Sequence, residues 1–209
     1  MMLIPMWLSL SVHEWAHAWS ALKLGDDTAA REGRLTLNPL SHIDPIGTVL
    51  LPLFGIPLGW AKPVPVNPVR FNRKWTMRTG MAITAFAGPL SNVVLAVGCA
   101  VALGLIYRFV PSMREVANGG TILLGYGVQL NIGLAIFNML PLPPLDGSRI
   151  VDRMVTPRWE ATWDSIKNFG PFLLFFVFAS GGYFLSGPIS AANEMLRRLI
   201  GSIAGVELI

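Results

Sequence analysis

The sequence predicts an all-α polytopic membrane protein, and composition is the first reason. Of the 209 residues, 53% are hydrophobic and only 13% are charged, whereas about 25% of the residues in an ordinary soluble domain are charged. Long apolar stretches recur along the chain and are separated by short polar loops. These features predict one membrane-embedded domain, residues 1–209, built as a bundle of about four to five transmembrane helices. A re-entrant or β-hairpin-like insertion is expected after the first helix.

The predicted helices follow the apolar runs. Residues 1–24 form the first helix, which ends at Gly25-Asp26-Asp27, a typical helix stop. Three further spans are predicted at residues 81–110, 121–142 and 168–187. In the tail, residues 188–209, apolar stretches alternate with Glu194, Arg197 and Arg198. This pattern predicts an amphipathic helix that lies on the membrane surface.

Residues 31–68 break the helical pattern. Residues 31–39 alternate polar and apolar side chains, which predicts a short strand closed by Pro39. Residues 45–60 mix glycine and proline with aliphatic residues, so a re-entrant or interfacial hairpin, buried against protein, is expected there. The prolines of residues 59–68 favour an extended backbone. That stretch is either a spacer or an exposed edge for a peptide substrate.

The first helix carries a His-Glu-x-x-His motif, formed by His13, Glu14 and His17. Residues four apart share one face of a helix, so the two imidazoles can bind one metal ion. Glu14 projects about 100° round the helix from His13, where its carboxylate can reach a water molecule beside the metal. This spacing is typical of zinc hydrolases. Ionisable residues inside an apolar helix are costly and usually functional, so a buried metal site is expected.

Two histidines leave a zinc ion in need of a third protein ligand. Asp146 follows a proline-rich helix end, and Gly147 gives the backbone freedom to turn inwards. We favour Asp146 over the pair His42 and Asp44, because two histidines and one acid are a common ligand set. Asp146 is also a candidate N-cap of a helix over residues 147–155, a role that is compatible with metal binding.

The basic residues indicate an orientation in the membrane. Twelve of them fall in three loops, residues 23–34, 61–80 and 147–167, and four fall on the opposite side of the predicted bundle. The positive-inside rule places the three loops in the cytoplasm, which brings Asp146 and His17 to similar depths. The basic residues form no single stripe, so nucleic-acid binding is not expected. Cys99 is the only cysteine, which excludes both an intrachain disulfide and a cysteine-held zinc ion.

Several motifs together resemble the site-2 proteases, the intramembrane zinc metalloproteases of the peptidase M50 type. These motifs are His13-Glu14-Trp15-Ala16-His17, residues 33–39, residues 59–68, Ala87-Gly88-Pro89 with Asn92, and Asn138 through Gly147. They cover about residues 1–155 in the family's order, in the short prokaryotic form without PDZ or CBS domains. The resemblance implies one zinc ion per chain, held by His13, His17 and Asp146, with Glu14 as general base. It also suggests Asn138 as a substrate or oxyanion contact, although an interhelical hydrogen bond would explain Asn138 equally well.

The implied function is hydrolysis of peptide bonds in or near transmembrane segments, in regulated proteolysis. The expected partners are a single-span membrane-protein substrate and the lipid bilayer. The expected location is the inner (cytoplasmic) membrane, with the active site towards the cytoplasm. The alternative is a membrane metal-binding scaffold, or a metal transporter, without proteolytic activity. A transporter should show repeats or several intramembrane ligands along a path, and the sequence has one cluster and no repeat.

Overall fold

A computed structural model describes residues 3–50, 53–54, 60–114, 118–180 and 183–206. Over these residues the chain is helical and contains no strand. The helices, in order, are α1 (Leu3–Lys23), α2 (Thr28–Arg31), α3 (Met77–Phe109), α4 (Gly119–Asn138), α5 (Asp146–Met154), α6 (Glu160–Asn168), α7 (Gly170–Ala179) and α8 (Tyr183–Ala204). Single turns of 3₁₀ helix lie at Pro39–Ser41, Pro68–Arg70, Pro111–Arg114 and Pro157–Trp159, and a π-helical turn lies at Pro45–Leu50.

Helix α3 is the centre of the fold, because α1, α4, α5 and α8 all pack against it. It begins at Met77, where the side chain of the N-cap Thr76 accepts a hydrogen bond from the Thr79 amide. Its buried face is built largely from small residues, including Ala85, Gly88, Ala96, Ala100 and Gly104. Small residues allow helix backbones to approach closely, which is how helices pack inside a membrane.

The outer surface of α3 is made of large apolar side chains. Phe86, Leu90, Val94 and Phe109 are 46%, 47%, 64% and 74% exposed, respectively. Small residues inside and large apolar residues outside are the reverse of a soluble helix, whose large apolar residues face the core. Helices α3 and α4 are both long and apolar enough to cross a membrane, and they are the two such helices within the described ranges. They lie on the predicted spans 81–110 and 121–142.

The predicted strand at residues 31–39 is wrong. Helix α2 ends at Arg31, bends follow, and a 3₁₀ turn begins at Pro39 because the Asn38 side chain accepts a hydrogen bond from the Leu40 amide. Burial also contradicts the assumed alternation, since Arg34 is buried while Leu37 and Leu40 are exposed. The described residues therefore contain no β-hairpin in the insertion. The re-entrant hairpin was expected at residues 45–60. Part of it, residues 51–52 and 55–59, lies outside the described residues.

In the last third of the chain, the predicted span at residues 168–187 is not confirmed, and the tail has a different environment from the one predicted. The span predicted at residues 168–187 contains α7, which has only 10 residues, and the first residues of α8; about 20 residues are needed to cross a bilayer. Residues 181–182 lie outside the described residues. The tail predicted to lie on the membrane surface forms most of α8, whose Leu196 and Ile200 join the main hydrophobic core. The tail is amphipathic, but its apolar face packs against α3 and α4.

Candidate metal centre

The two motif histidines face each other on α1. The Nε2 atoms of His13 and His17 are 3.0 Å apart, and their rings meet edge to face with centroids 4.6 Å apart. His13 is only 5% exposed. The predicted i, i+4 pairing on one helix face is therefore observed.

Helix α3 fixes the outer nitrogen of each ring. His13 Nδ1 lies 2.6 Å from Asn92 Oδ1, and His17 Nδ1 lies 2.7 Å from the backbone carbonyl of Thr84. A carbonyl oxygen only accepts hydrogen bonds, so the His17 Nδ1 atom must carry the proton. The same holds for His13 when the Asn92 oxygen faces it. Both Nε2 atoms are then left with lone pairs directed at each other.

Asp146 completes the cluster from the start of α5. Its Oδ2 atom lies 3.2 Å from His13 Nε2 and 3.3 Å from His17 Nε2. Asp146 is the first residue of α5 and the N-cap position belongs to Leu145, so its side chain is free for the histidines. A side chain at the next position would collide with the preceding turn, because a Cβ on Gly147 would lie 2.3 Å from the Met139 carbonyl oxygen.

The three ligand atoms fit a metal ion. They lie within 4.8 Å of one another, and their separations of 3.0, 3.2 and 3.3 Å match the edge of about 3.3 Å in a tetrahedral zinc site with nitrogen and oxygen ligands. Three acceptor atoms that converge without a donor repel one another unless a cation lies between them. The set of two imidazoles and one carboxylate is also a common zinc ligand set.

The charge of Asp146 follows the same logic. Burial of the carboxyl group raises its pKa, but the neighbouring His13 and His17 outweigh burial and hold the pKa well below its usual range. The carboxylate is therefore ionised although it is largely buried. A positive charge, either a proton shared by the histidines or a metal ion, is needed to balance it.

Gly88 lets α3 approach the cluster. A Cβ atom at this position would lie 2.5 Å from His17 Cε1 and Nε2, and 2.7 Å from His13 Cε1. Any side chain there would overlap the imidazole rings. Gly88 belongs to the Ala87-Gly88-Pro89 motif that contributes to the family resemblance, and it lies against the candidate metal ligands themselves.

Glu14 is not one of the clustered ligand residues, and it contacts the extended segment after the insertion. Its Oε2 atom accepts a hydrogen bond of 2.9 Å from the backbone amide of Val64. That segment is held on both sides: the Arg34 guanidinium donates to the carbonyls of Lys62 and Pro63, and Asp26 Oδ2 accepts from the Asn67 amide at 2.7 Å. The carboxylate of the motif is thus beside the ligand cluster and outside it.

The other candidates serve the local structure. His42 Nε2 bonds the Thr36 carbonyl at 2.8 Å, and Asp44 Oδ1 accepts from the amides of Ile46 and Gly47. Among the described residues, the one group of three or more metal-binding side chains is His13, His17 and Asp146, which supports the choice of Asp146. The Asn138 amide nitrogen donates to the Leu134 carbonyl of its own helix at 3.0 Å, so a substrate contact by Asn138 stays a prediction.

Sequence reasoning missed several residues around the cluster. The Thr84 carbonyl and the Val64 amide are backbone groups, so no residue type in the sequence marks them. Asn131 and Ser9, which are hydrogen-bonded to each other behind Asn92, were also missed. Their signal was available, because both are polar residues inside apolar helices and such residues usually have a specific partner.

Comparisons with known proteins identify the family of this chain. The model of peptidase family M50 matches residues 104–179. Two similar proteins bear the name "Putative zinc metalloprotease": YwhC of Bacillus subtilis, 38% identical over 97% of this chain and 91% of its own length, and Rip2 of Mycolicibacterium smegmatis, 33% identical over 81% of this chain and 63% of its own length. No solved structure matches the chain. Because the likeness to YwhC covers nearly the whole of both proteins, the chain belongs to peptidase family M50, the site-2 protease family.

Proposed function

We propose that this chain is an intramembrane zinc metalloprotease that hydrolyses peptide bonds in or near transmembrane segments of other membrane proteins. The observation that carries the proposal is the convergence of three acceptor atoms, from His13, His17 and Asp146, beside the carboxylate of Glu14. Family membership supports a metalloprotease of this type. The proposal adds the metal ligands, the general base and the class of substrate.

His13 and His17, through Nε2, and Asp146, through Oδ2, would hold one zinc ion. When bound, zinc lowers the pKa of a water ligand and polarises the carbonyl of the peptide bond to be cut. The protein's contribution is to keep the ligand geometry fixed, through Asn92 and the Thr84 carbonyl behind the two rings.

Glu14 is the proposed general base. Because the Val64 amide binds Oε2, the Oε1 atom is left to take a proton from the attacking water and to pass it to the leaving amine. The hydrogen bond from Val64 also fixes the direction of the carboxylate. The position of the segment around Val64 thereby controls where the base lies.

The apolar surroundings of the cluster favour a membrane-protein substrate. An apolar groove of about 290 Å³ lies between α3 and α4. It is lined by Phe86, Pro89, Leu90, Val93, Ala135, Ile136, Met139 and Leu140. Two groove residues connect it to the ligand cluster on the α3 and α4 sides. Pro89 follows Gly88, which lies against the histidine rings. Met139 lies against Gly147, the residue after Asp146. An apolar segment in this groove would lie next to the ligand cluster.

A transmembrane helix must be unwound before it is cut, because all its backbone groups are bonded within the helix. The extended residues 60–67 are suited to hold the unwound strand by edge pairing. We propose that this reaction belongs to the regulated proteolysis of single-span proteins in the inner membrane. The basic loops favour an active site towards the cytoplasm.

The test is to measure zinc content, and cleavage of a single-span model substrate in detergent, for the wild type and for Glu14→Gln. The wild type should hold one zinc ion and cut. Glu14→Gln should keep the zinc and lose about 10²- to 10⁴-fold in cleavage rate. A wild type that holds zinc but cuts none of several substrates would favour the scaffold or transporter, and undiminished cleavage by Glu14→Gln would exclude Glu14 as the base.

A further inference from the structure

Three polar side chains form a buried chain behind His13. Ser9 on α1, Asn92 on α3 and Asn131 on α4 are 2%, 0% and 1% exposed. Asn92 Nδ2 donates to Asn131 Oδ1 at 2.7 Å, and Asn131 Nδ2 donates to Ser9 Oγ at 2.9 Å. Buried polar groups are costly unless they are paired. These hydrogen bonds therefore join three helices next to His13.

The direction of these side-chain hydrogen bonds is decided at Asn131, the residue farthest from His13 with a backbone carbonyl beside its amide. Asn131 Nδ2 lies 2.8 Å from the backbone carbonyl of Gly127. A backbone carbonyl only accepts, so the nitrogen of the Asn131 amide must face Gly127. The oxygen of Asn131 therefore faces Asn92.

The same reasoning passes from Asn92 to His13. The atom of Asn92 that meets the Asn131 oxygen must be its nitrogen, and the Ser9 carbonyl lies 3.5 Å from the same nitrogen. The oxygen of Asn92 then faces His13 Nδ1 at 2.6 Å, and Nδ1 must carry the proton. As a result, His13 Nε2 has a free lone pair for a metal.

We propose that Asn131 is a positioning residue for the zinc site, and that it acts through Asn92 to set the tautomer in which His13 offers Nε2. This inference rests on the proposed zinc-binding function. His17 needs no such support, because the Thr84 carbonyl that its Nδ1 meets cannot reverse its polarity. An asparagine amide can reverse by rotation, so the polarity of Asn92 has to be imposed by a neighbour.

Asn131→Leu and Asn131→Asp separate polarity from shape. Leucine has a similar size but offers Asn92 no oxygen, whereas aspartate keeps an oxygen towards Asn92 in either protonation state. Gln129→Leu is the matched control, because Gln129 is an exposed amide on the same helix, two residues away. The measurements are zinc affinity by chelator competition and ¹⁵N NMR of the histidine rings in zinc-loaded protein, which contains three histidines.

We expect Asn131→Leu to bind zinc about 10- to 100-fold more weakly, the usual effect of losing a group that orients a metal ligand. The NMR spectrum of this variant should show that His13 no longer binds uniformly through Nε2, while the His17 signals keep their wild-type pattern. Asn131→Asp should keep His13 bound through Nε2 and lie closer to the wild type in affinity. Gln129→Leu should match the wild type in both measurements.

Equal zinc affinity and an unchanged His13 spectrum in Asn131→Leu would overturn the inference while leaving the zinc site intact. Equal losses in Asn131→Leu and Asn131→Asp would also overturn it, because polarity would then not be the cause. A wild type that binds no zinc would overturn the proposed function as well. If Asn131→Leu does not fold, Asn131→Ala, which favours a helix, takes its place in the comparison.

Discussion

At the scale of single residues, Asp146 decides whether the two histidines form a complete ligand set. Its Oδ2 atom is the third acceptor, at 3.2 and 3.3 Å from the two Nε2 atoms. We expect Asp146→Ala to weaken zinc binding by more than the 10- to 100-fold, roughly, that the loss of an outer partner costs. Zinc content after dialysis against a weak chelator measures this.

Asp152→Ala is the control for Asp146→Ala. Asp152 lies on the same helix, where its carboxylate binds the Trp163 indole and the Lys167 ammonium, so its loss should leave zinc content unchanged. If Asp146→Ala retains zinc as the wild type does, the third ligand has to be sought at His42 or Asp44.

Gly88 is a second residue whose role is local and testable. A Cβ atom there would lie 2.5 Å from the His17 ring, so Gly88→Ala must displace either the ring or α3. We expect weaker zinc binding and a lower melting temperature. Gly98→Ala on the same helix is the control, because nothing lies within 4 Å of its added Cβ. Alanine is also more favourable than glycine inside a helix, by about 0.8–1 kcal/mol. Equal effects of the two substitutions would contradict a steric role of Gly88.

At the scale of elements, the extended residues 60–67 are fixed by side chains from elsewhere in the chain. The buried Arg34 guanidinium donates to the carbonyls of Lys62 and Pro63, and Val64 donates to Glu14. We expect Arg34→Met to loosen this segment, to raise hydrogen exchange at the Val64 amide and to slow cleavage without loss of zinc. Hydrogen exchange measured by mass spectrometry on peptides that cover the segment tests this expectation.

Arg31→Met is the control for the same turn, because Arg31 is exposed and pairs only with its helix neighbour Asp27 among the described residues. Exchange at Val64 should stay at the wild-type level in that variant. If Arg34→Met also leaves exchange unchanged, Arg34 does not hold the segment.

The elements also show what sequence patterns can and cannot predict. The positions of α1, α3 and α4 follow from continuous apolar runs, and the pairing of His13 with His17 follows from helix geometry. The fold of residues 31–39 does not follow from their pattern, since the buried Arg34 binds carbonyls 28 and 29 residues away. The packing partner of α8 could not be predicted from the sequence either. Its amphipathic pattern indicates an apolar face, but whether lipid or α3 covers that face depends on the tertiary fold.

At the scale of the whole molecule, contacts gather the basic loops at one end of α3. Two contacts join the loop 147–167 to the start of α3: Arg78 pairs with Glu160, and Arg153 donates to Thr79 at 2.6 Å. The loops 61–80 and 23–34 are joined by the backbone amide of Asn72, which donates to the Leu24 carbonyl at 2.6 Å. The three loops that contain most of the basic residues therefore meet near the start of α3. At its other end, Arg108 and Arg114 donate to carbonyls at the end of α8.

This asymmetry predicts the orientation of α3 in the membrane. By the positive-inside rule, the end that carries most of the lysine and arginine residues lies in the cytoplasm. Single-cysteine variants can report it, in a Cys99→Ala background that removes the only cysteine. Lys74→Cys lies just before α3 and Ser112→Cys just after it, and both positions are exposed.

In spheroplasts, a membrane-impermeant maleimide should label Ser112→Cys and should label Lys74→Cys only after the membrane is broken. Zinc content in each variant checks that the site is intact. The reverse labelling would place the basic end, and with it Asp146, on the outer side. Labelling of both positions in sealed spheroplasts would show that α3 does not cross the bilayer, and its large apolar outer side chains would then need a protein partner to cover them.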